Sequence, residues 1–260
     1  MNGPVRAVVL LLAAFASAAA SADDEGLSAD RPDFVNGPDV MGPGRVQLEA
    51  GFIRQREHDG DTVVRTRSVP WLLRVGVGHE LELSVGGAGP VREQASGSDP
   101  VEGWSDLSLG LKIHWRDGDE HGRPAIGALV QATLPTGAAP EHGRGVRPAL
   151  YGLVQWDFGQ GWSLGVMPGL IADTDDAGRR YAAGALAASL GKDFDGGLHG
   201  FVEIAGQHLA SAAHGGSLLT FDTGVAWRVT PDLQLDFAVS KGLNSDSPDW
   251  QWGLGGALRF

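Results

Sequence analysis

Residues 250–260 alternate without exception. Trp250, Trp252, Leu254, Gly256, Leu258 and Phe260 share one parity; Gln251, Gly253, Gly255, Ala257 and Arg259 share the other. Side chains of a strand point to opposite faces in turn, so this stretch reads as a strand with one apolar and one polar or small face. Its length matches the ~9–11 residues a tilted strand needs to cross a bilayer. Such a strand also suits a soluble β-sandwich, so the rest of the chain has to choose between the two.

Eleven further stretches carry strand patterns: 45–56, 65–77, 80–90, 104–115, 124–134, 147–158, 161–172, 180–192, 198–207, 218–229 and 233–241. In 104–115, Leu107, Leu109, Leu111, Ile113 and Trp115 oppose Asp106, Ser108, Gly110, Lys112 and His114. In 233–241, Leu233, Leu235, Phe237 and Val239 oppose Gln234, Asp236 and Ser240. The alanine-rich stretch 180–192 leaves its facing open. Residues 23–44 have no period and contain Pro32, Pro38 and Pro43, so they read as an irregular amino-terminal segment before a β-domain at 45–260.

The connections are asymmetric. Gly78-His79, Gly159-Gln160 and Thr230-Pro231-Asp232 are tight turns, whereas 91–103 and 135–146 read as long polar loops. Short turns at one end and longer loops at the other are the habit of outer-membrane barrels, the short turns lying in the periplasm. An even count of twelve strands returns both termini to that end. All eight tryptophans fall near predicted strand ends, where a ring with a polar N–H suits the membrane interface. The fold class that follows is an all-β transmembrane antiparallel barrel of about twelve strands.

Residues 1–22 read as a secretory signal peptide: Arg6, an apolar run over 7–16, and Ala20-Ser21-Ala22 as the cleavage site. The net charge of −12 argues against nucleic acid as a partner. With no cysteine, the chain forms no disulfide, thiolate nucleophile or lipidated-cysteine anchor. Its 40 glycines lack a collagen period and fit tight turns and crowded barrel interiors. No zincin motif, phosphate loop or cofactor signature occurs, and no cofactor is expected.

Four pieces carry a family resemblance: 29–34 (ADRPDF), 104–112 (WSDLSLGLK), 134–137 (LPTG) and 242–244 (GLN) followed by the closing strand. Together they resemble the outer-membrane "transporter" family named after the meta-pathway of phenol degradation. The resemblance implies a barrel that passes small, often aromatic or apolar, solutes across the outer membrane of a Gram-negative bacterium. The closing strand, ending on Phe260, is similar to the assembly signal through which such barrels meet the outer-membrane assembly machinery.

If the protein is a pore, its inward face carries the function. Ionised groups on the lipid face cost a few kcal/mol each near the midplane, so parity sends them inside. The expected lumen lining is Glu49, Arg74, Glu80, Glu82, Asp106, Lys112, His114, Asp157, Glu203, Asp222, Arg228, Asp236 and Arg259. Acids outnumber bases, which favours cations or neutral solutes. Charges that pair across strands could equally fill the interior, because ~8-stranded barrels are packed and 16–18-stranded ones open. Asp30, Arg31 and Asp33 form either a plug within that lumen or a solvated lead-in to the first strand. Arg54, Arg56, Arg65 and Arg67 have outward parity, and suit lipopolysaccharide phosphates or a plain basic rim.

A barrel hydrolase and a closed structural or surface-binding barrel are the rival readings. Ser108 and His114 share a face but lie about 20 Å apart along an extended strand, too far for proton transfer. The acidic runs 57–61 and 173–176 lack calcium-loop spacing and read as solvated loop tips. No catalytic or metal residue is therefore assigned.

Overall fold

The computed structural model describes residues 27–119, 121–140, 143–175, 177–214 and 216–260, so the expected leader lies outside the described residues. They form one antiparallel sheet: β1 (Val46–Asp59), β2 (Thr62–Ser68), β3 (Trp71–Gly76), β4 (Leu81–Gly87), β5 (Pro90–Ala95), β6 (Val101–Trp104), β7 (Leu107–Arg116), β8 (Ala125–Leu134), β9 (Arg147–Asp157), β10 (Trp162–Thr174), β11 (Arg180–Phe194), β12 (Leu198–Leu209), β13 (Ser217–Thr230), β14 (Leu233–Gly242) and β15 (Trp250–Arg259). Twelve of them, β1, β3, β4 and β7 to β15, make a closed ring. The ring is sealed by β15 against β1, from Gln47 opposite Arg259 to Arg56 opposite Trp250. Phe260 and Val46 exchange backbone hydrogen bonds at the seam. Closure removes every sheet edge from the hydrocarbon, where an unpaired backbone group has no water to bond.

Burial inverts the rule of soluble proteins. Gln47, Glu49, Arg74, Glu82, Lys112 and Glu203 are buried, while Leu170 and Ile204 are 68% and 60% exposed. Apolar side chains that face outward around a closed ring have acyl chains as their natural solvent, and a shared sandwich interior is ruled out. The alanine-rich strand follows the same alternation. In β11, Ala183, Ala185, Ala187 and Ser189 point inward, and Leu186 and Leu190 point out.

The structure corrects the predicted connections on one side. The stretch 91–103, expected as a loop, forms the β5–β6 hairpin, and β2 pairs with the upper part of β1. Pro70 explains the break between β2 and β3, because proline offers no N–H to the ladder. Below the break β1 pairs with β3, and above it with β2. This upper extension has no continuous apolar face, so periodicity alone did not reveal it.

Candidate functional site in the barrel lumen

The irregular segment that precedes β1 does not lie in solvent. From Leu27 to Gly44 it bonds to wall strands on opposite sides of the ring, which only a path through the interior allows. Arg31 donates Nη2 to Asp236 of β14 at 2.8 Å, and Gln234 donates to the Arg31 carbonyl at 3.2 Å. Across the lumen, Lys112 of β7 pairs with Asp30 at 2.6 Å. The Phe34 and Val35 amides donate to the two oxygens of Glu203 on β12, at 3.0 and 2.9 Å. Met41 N–H donates to Glu82 of β4 at 3.1 Å, and His114 Nδ1 meets the Pro38 carbonyl at 3.2 Å.

Two glycines make the Arg31 contact possible. Gly51 and Gly255 face each other across the seam, and Gly255 also faces Asp236. A Cβ on Gly255 would lie 2.5 Å from the Arg31 guanidinium, and one on Gly51 would lie 2.6 Å from it. The bare backbone therefore forms a slot that guides the side chain to its acid.

Arg74 is the centre of the densest network. Its guanidinium forks onto Glu82 at 2.7 and 2.9 Å, and Nη1 reaches Glu49 at 3.0 Å and the Ser28 carbonyl at 2.7 Å. Asp30 sits 3.5 Å from the same nitrogen and donates its backbone N–H to Glu49. Such a group is tolerable without water only because nearly every donor and acceptor is matched; Oε2 of Glu49 and the side-chain oxygen of Gln47 have no protein partner.

The opposite wall is apolar, which sequence reasoning missed. Val35 packs among Tyr151, Leu153, Met167, Ala185, Ala187 and Ala205, with Phe34 beside it. Leu153, Met167 and the three alanines all sit on inward parity, so the signal was present. Above the segment remains a cavity of about 280 Å³, lined by Asp30, Arg31, Glu49, Glu82, Lys112 and Gln131 among others.

Several expected lining residues stand elsewhere. Glu80 is exposed in the turn before β4, because the strand begins one residue later. Asp157 and Arg228 are exposed at the short-turn mouth, and Arg259 pairs there with Asp232 at 2.9 Å. Asp106 holds a loop rather than a path: it accepts from Gly137, Gly143 and Arg147 at 2.8, 2.7 and 2.6 Å. Asp222 is buried opposite Glu203 and accepts from Thr220 at 2.8 Å. Ser108 bonds Thr133, and His114 bonds Pro38 and Asp117, so no Ser–His dyad forms between them.

The segment's acids feel this setting differently. Burial pushes Asp33 up to about 6; its own backbone, Ser189 and His199 oppose the rise, and Asp30 adds to it. Burial also raises Asp39. For Asp30, burial is outweighed by Arg74 and Lys112, which hold it below the usual carboxylate range. A docked Asp33 thus binds its proton at higher pH than a released one, so docking strengthens as pH falls through about 6. Asp30 acts oppositely, but only below the ordinary value of 3.8. Release of the segment from the wall, read from the mobility of a spin label at Asn36→Cys, should therefore diminish as pH is lowered from 7 to 5, and Asp33→Asn should flatten that response. Greater mobility on acidification would contradict this assignment.

The profile of a family described as "Putative MetA-pathway of phenol degradation" matches residues 29–260. No curated protein matches by sequence. An outer membrane channel from Pseudomonas putida F1 superposes with a TM-score of 0.65 at 16% identity, covering 85% of this chain and 97% of that one. The KdgM porin gives 0.51 at 10% identity, over 82% and 99% of the two chains. The β-domain of the Bordetella autotransporter BrkA gives 0.53 at 12%, over 82% and 98%.

Proposed function

The chain belongs to the MetA-pathway phenol-degradation family of outer-membrane barrels, and on that premise we propose that it is a passive channel for small molecules whose lumen is closed by its own residues 27–40. The observation that carries this reading is the segment's anchoring to acids and bases of opposing walls, through Arg31–Asp236, Asp30–Lys112 and the Glu203 amide bonds. Those polar bonds are reversible, since water replaces them when the segment withdraws; the dry contact of Val35 with its apolar pocket has to break as well.

What remains when it withdraws is a half-charged, half-apolar bore. Glu49, Glu82, Glu203, Asp222 and Asp236 then face Arg74 and Lys112, so the field is negative and favours cations or neutral solutes over anions. The apolar wall of Tyr151, Leu153 and Met167 gives an uncharged solute a surface to slide along. Small aromatic or apolar compounds suit such a bore, in keeping with the family's description. The test is a planar-bilayer recording under a salt gradient, with liposome swelling for neutral solutes. A reversal potential of the cation-selective sign is expected, and an anion-selective one would overturn the reading of the lumen.

A further inference from the structure

Outside the barrel, the upper part of the seam carries a charge pattern that the channel does not use. Arg54 and Arg56 of β1 lie directly opposite Arg67 and Arg65 of β2, and Arg67 lies opposite Arg92 of β5. All five share the outward parity of Leu48 and Phe52. Like charges set directly across an antiparallel pair destabilise it unless something neutralises them. Inside the protein little does so. Among the described residues, Arg54, Arg65 and Arg67 form no salt bridge, the Arg56 guanidinium hydrogen-bonds His58, and Arg92 pairs with Glu102 at 2.6 Å. His58 in turn pairs with Asp249.

The location narrows the missing counter-charge. Trp252 stands opposite Arg54 and Trp250 opposite Arg56, with Phe52 packed 5.7 Å from Trp252 and Lys241 lying over the Trp250 ring. Interfacial tryptophans mark headgroup depth, so the arginines sit at the level of the outer leaflet's phosphates. Directly beneath runs an outer-wall groove of about 480 Å³, lined by Phe52, Val69 and Trp104 below and Arg67, Arg92 and Glu102 above. An apolar floor under a cationic rim is complementary to an amphiphile with an anionic head.

We propose that this patch binds the phosphorylated saccharide headgroup of lipopolysaccharide, its phosphates bridging Arg54, Arg67 and Arg92 and one acyl chain lying in the groove. Paired guanidinium forks suit phosphate oxygens better than ammonium groups do. The bound lipid supplies the charge that the arginine ladder lacks, and so helps to hold the β1–β2–β5 extension upright.

Native mass spectrometry of the full-length protein in detergent tests this with bisphosphorylated lipid A, dephosphorylated lipid A, phosphatidylglycerol and inorganic phosphate as probes. Bisphosphorylated lipid A should bind about tenfold or more tighter than each of the other lipids, a ratio set by charge-assisted hydrogen bonds. The Arg54→Gln/Arg67→Gln double variant should lose that margin while keeping the heat-modifiable gel shift of a folded barrel. Glu102→Gln, on the exposed edge strand, should tighten binding by releasing Arg92, so a folding defect in the double variant would still leave a decisive measurement. Equal affinity for phosphatidylglycerol, displacement by inorganic phosphate alone, or no tightening with Glu102→Gln would each overturn the assignment.

Discussion

Deleting residues 27–40 should raise single-channel conductance at least about threefold, since a twelve-stranded ring lies between packed and open barrels. The segment fills the lumen from the Arg31–Asp236 contact to the Val35 pocket, and no other described element crosses the interior there. Residues 41–44 should be kept, because Gly44 N–H bonds the Gly76 carbonyl and sets the approach to β1. The deleted barrel should still close, since its seam is made by β1 and β15 alone. Arg31→Ala should give a smaller rise with more frequent openings, because it frees one tether and leaves Asp30 and the Glu203 bonds in place. Wild-type conductance in the folded deletion variant would dispose of the plug.

The second large effect concerns Arg74. Replacing it with alanine leaves Asp30, Glu49 and Glu82 crowded together, with Lys112 the cation that remains on Asp30. Removing one partner of a buried ion network costs about 3–5 kcal/mol, because the surviving charges stay buried without compensation. Urea titration of the barrel in detergent micelles should show that loss as a lower midpoint, and the segment should undock before the barrel opens. Arg74→Lys keeps the charge but cannot fork onto Glu82 while reaching Glu49, so an intermediate loss is expected. A midpoint equal to wild type in Arg74→Ala would show that the network contributes nothing net.

Much of the architecture was legible because a barrel in lipid has one dominant constraint. The rhythm in 104–115 and 250–260 survives in β7 and β15, since each side chain must choose between acyl chains and lumen. The legible part thins where that constraint lapses. At headgroup level and beyond it neither face of 91–103 needs to be apolar, so the β5–β6 hairpin left no period to detect. The lumen was half legible. Charge and parity picked out Arg74, Glu82, Lys112 and Asp236, all buried inside, but could not say that Asp106 grips a loop or that Glu80 falls in a turn.

Alternation over single strands, read together with the asymmetric turns and the tryptophans at strand ends, determined by itself that this chain would wrap into a cylinder with most of its strand leucines outward. Which inward group meets which depended on bringing together positions far apart in the chain. Arg31 finds Asp236 only because β14 returns beside β15 and β1, where two glycines leave room for the guanidinium. Local periodicity is a property of neighbours in sequence, whereas the fate of a buried charge depends on whatever the closed ring places within three ångströms of it. Only the tertiary structure could decide that the segment before the first strand lies in the bore.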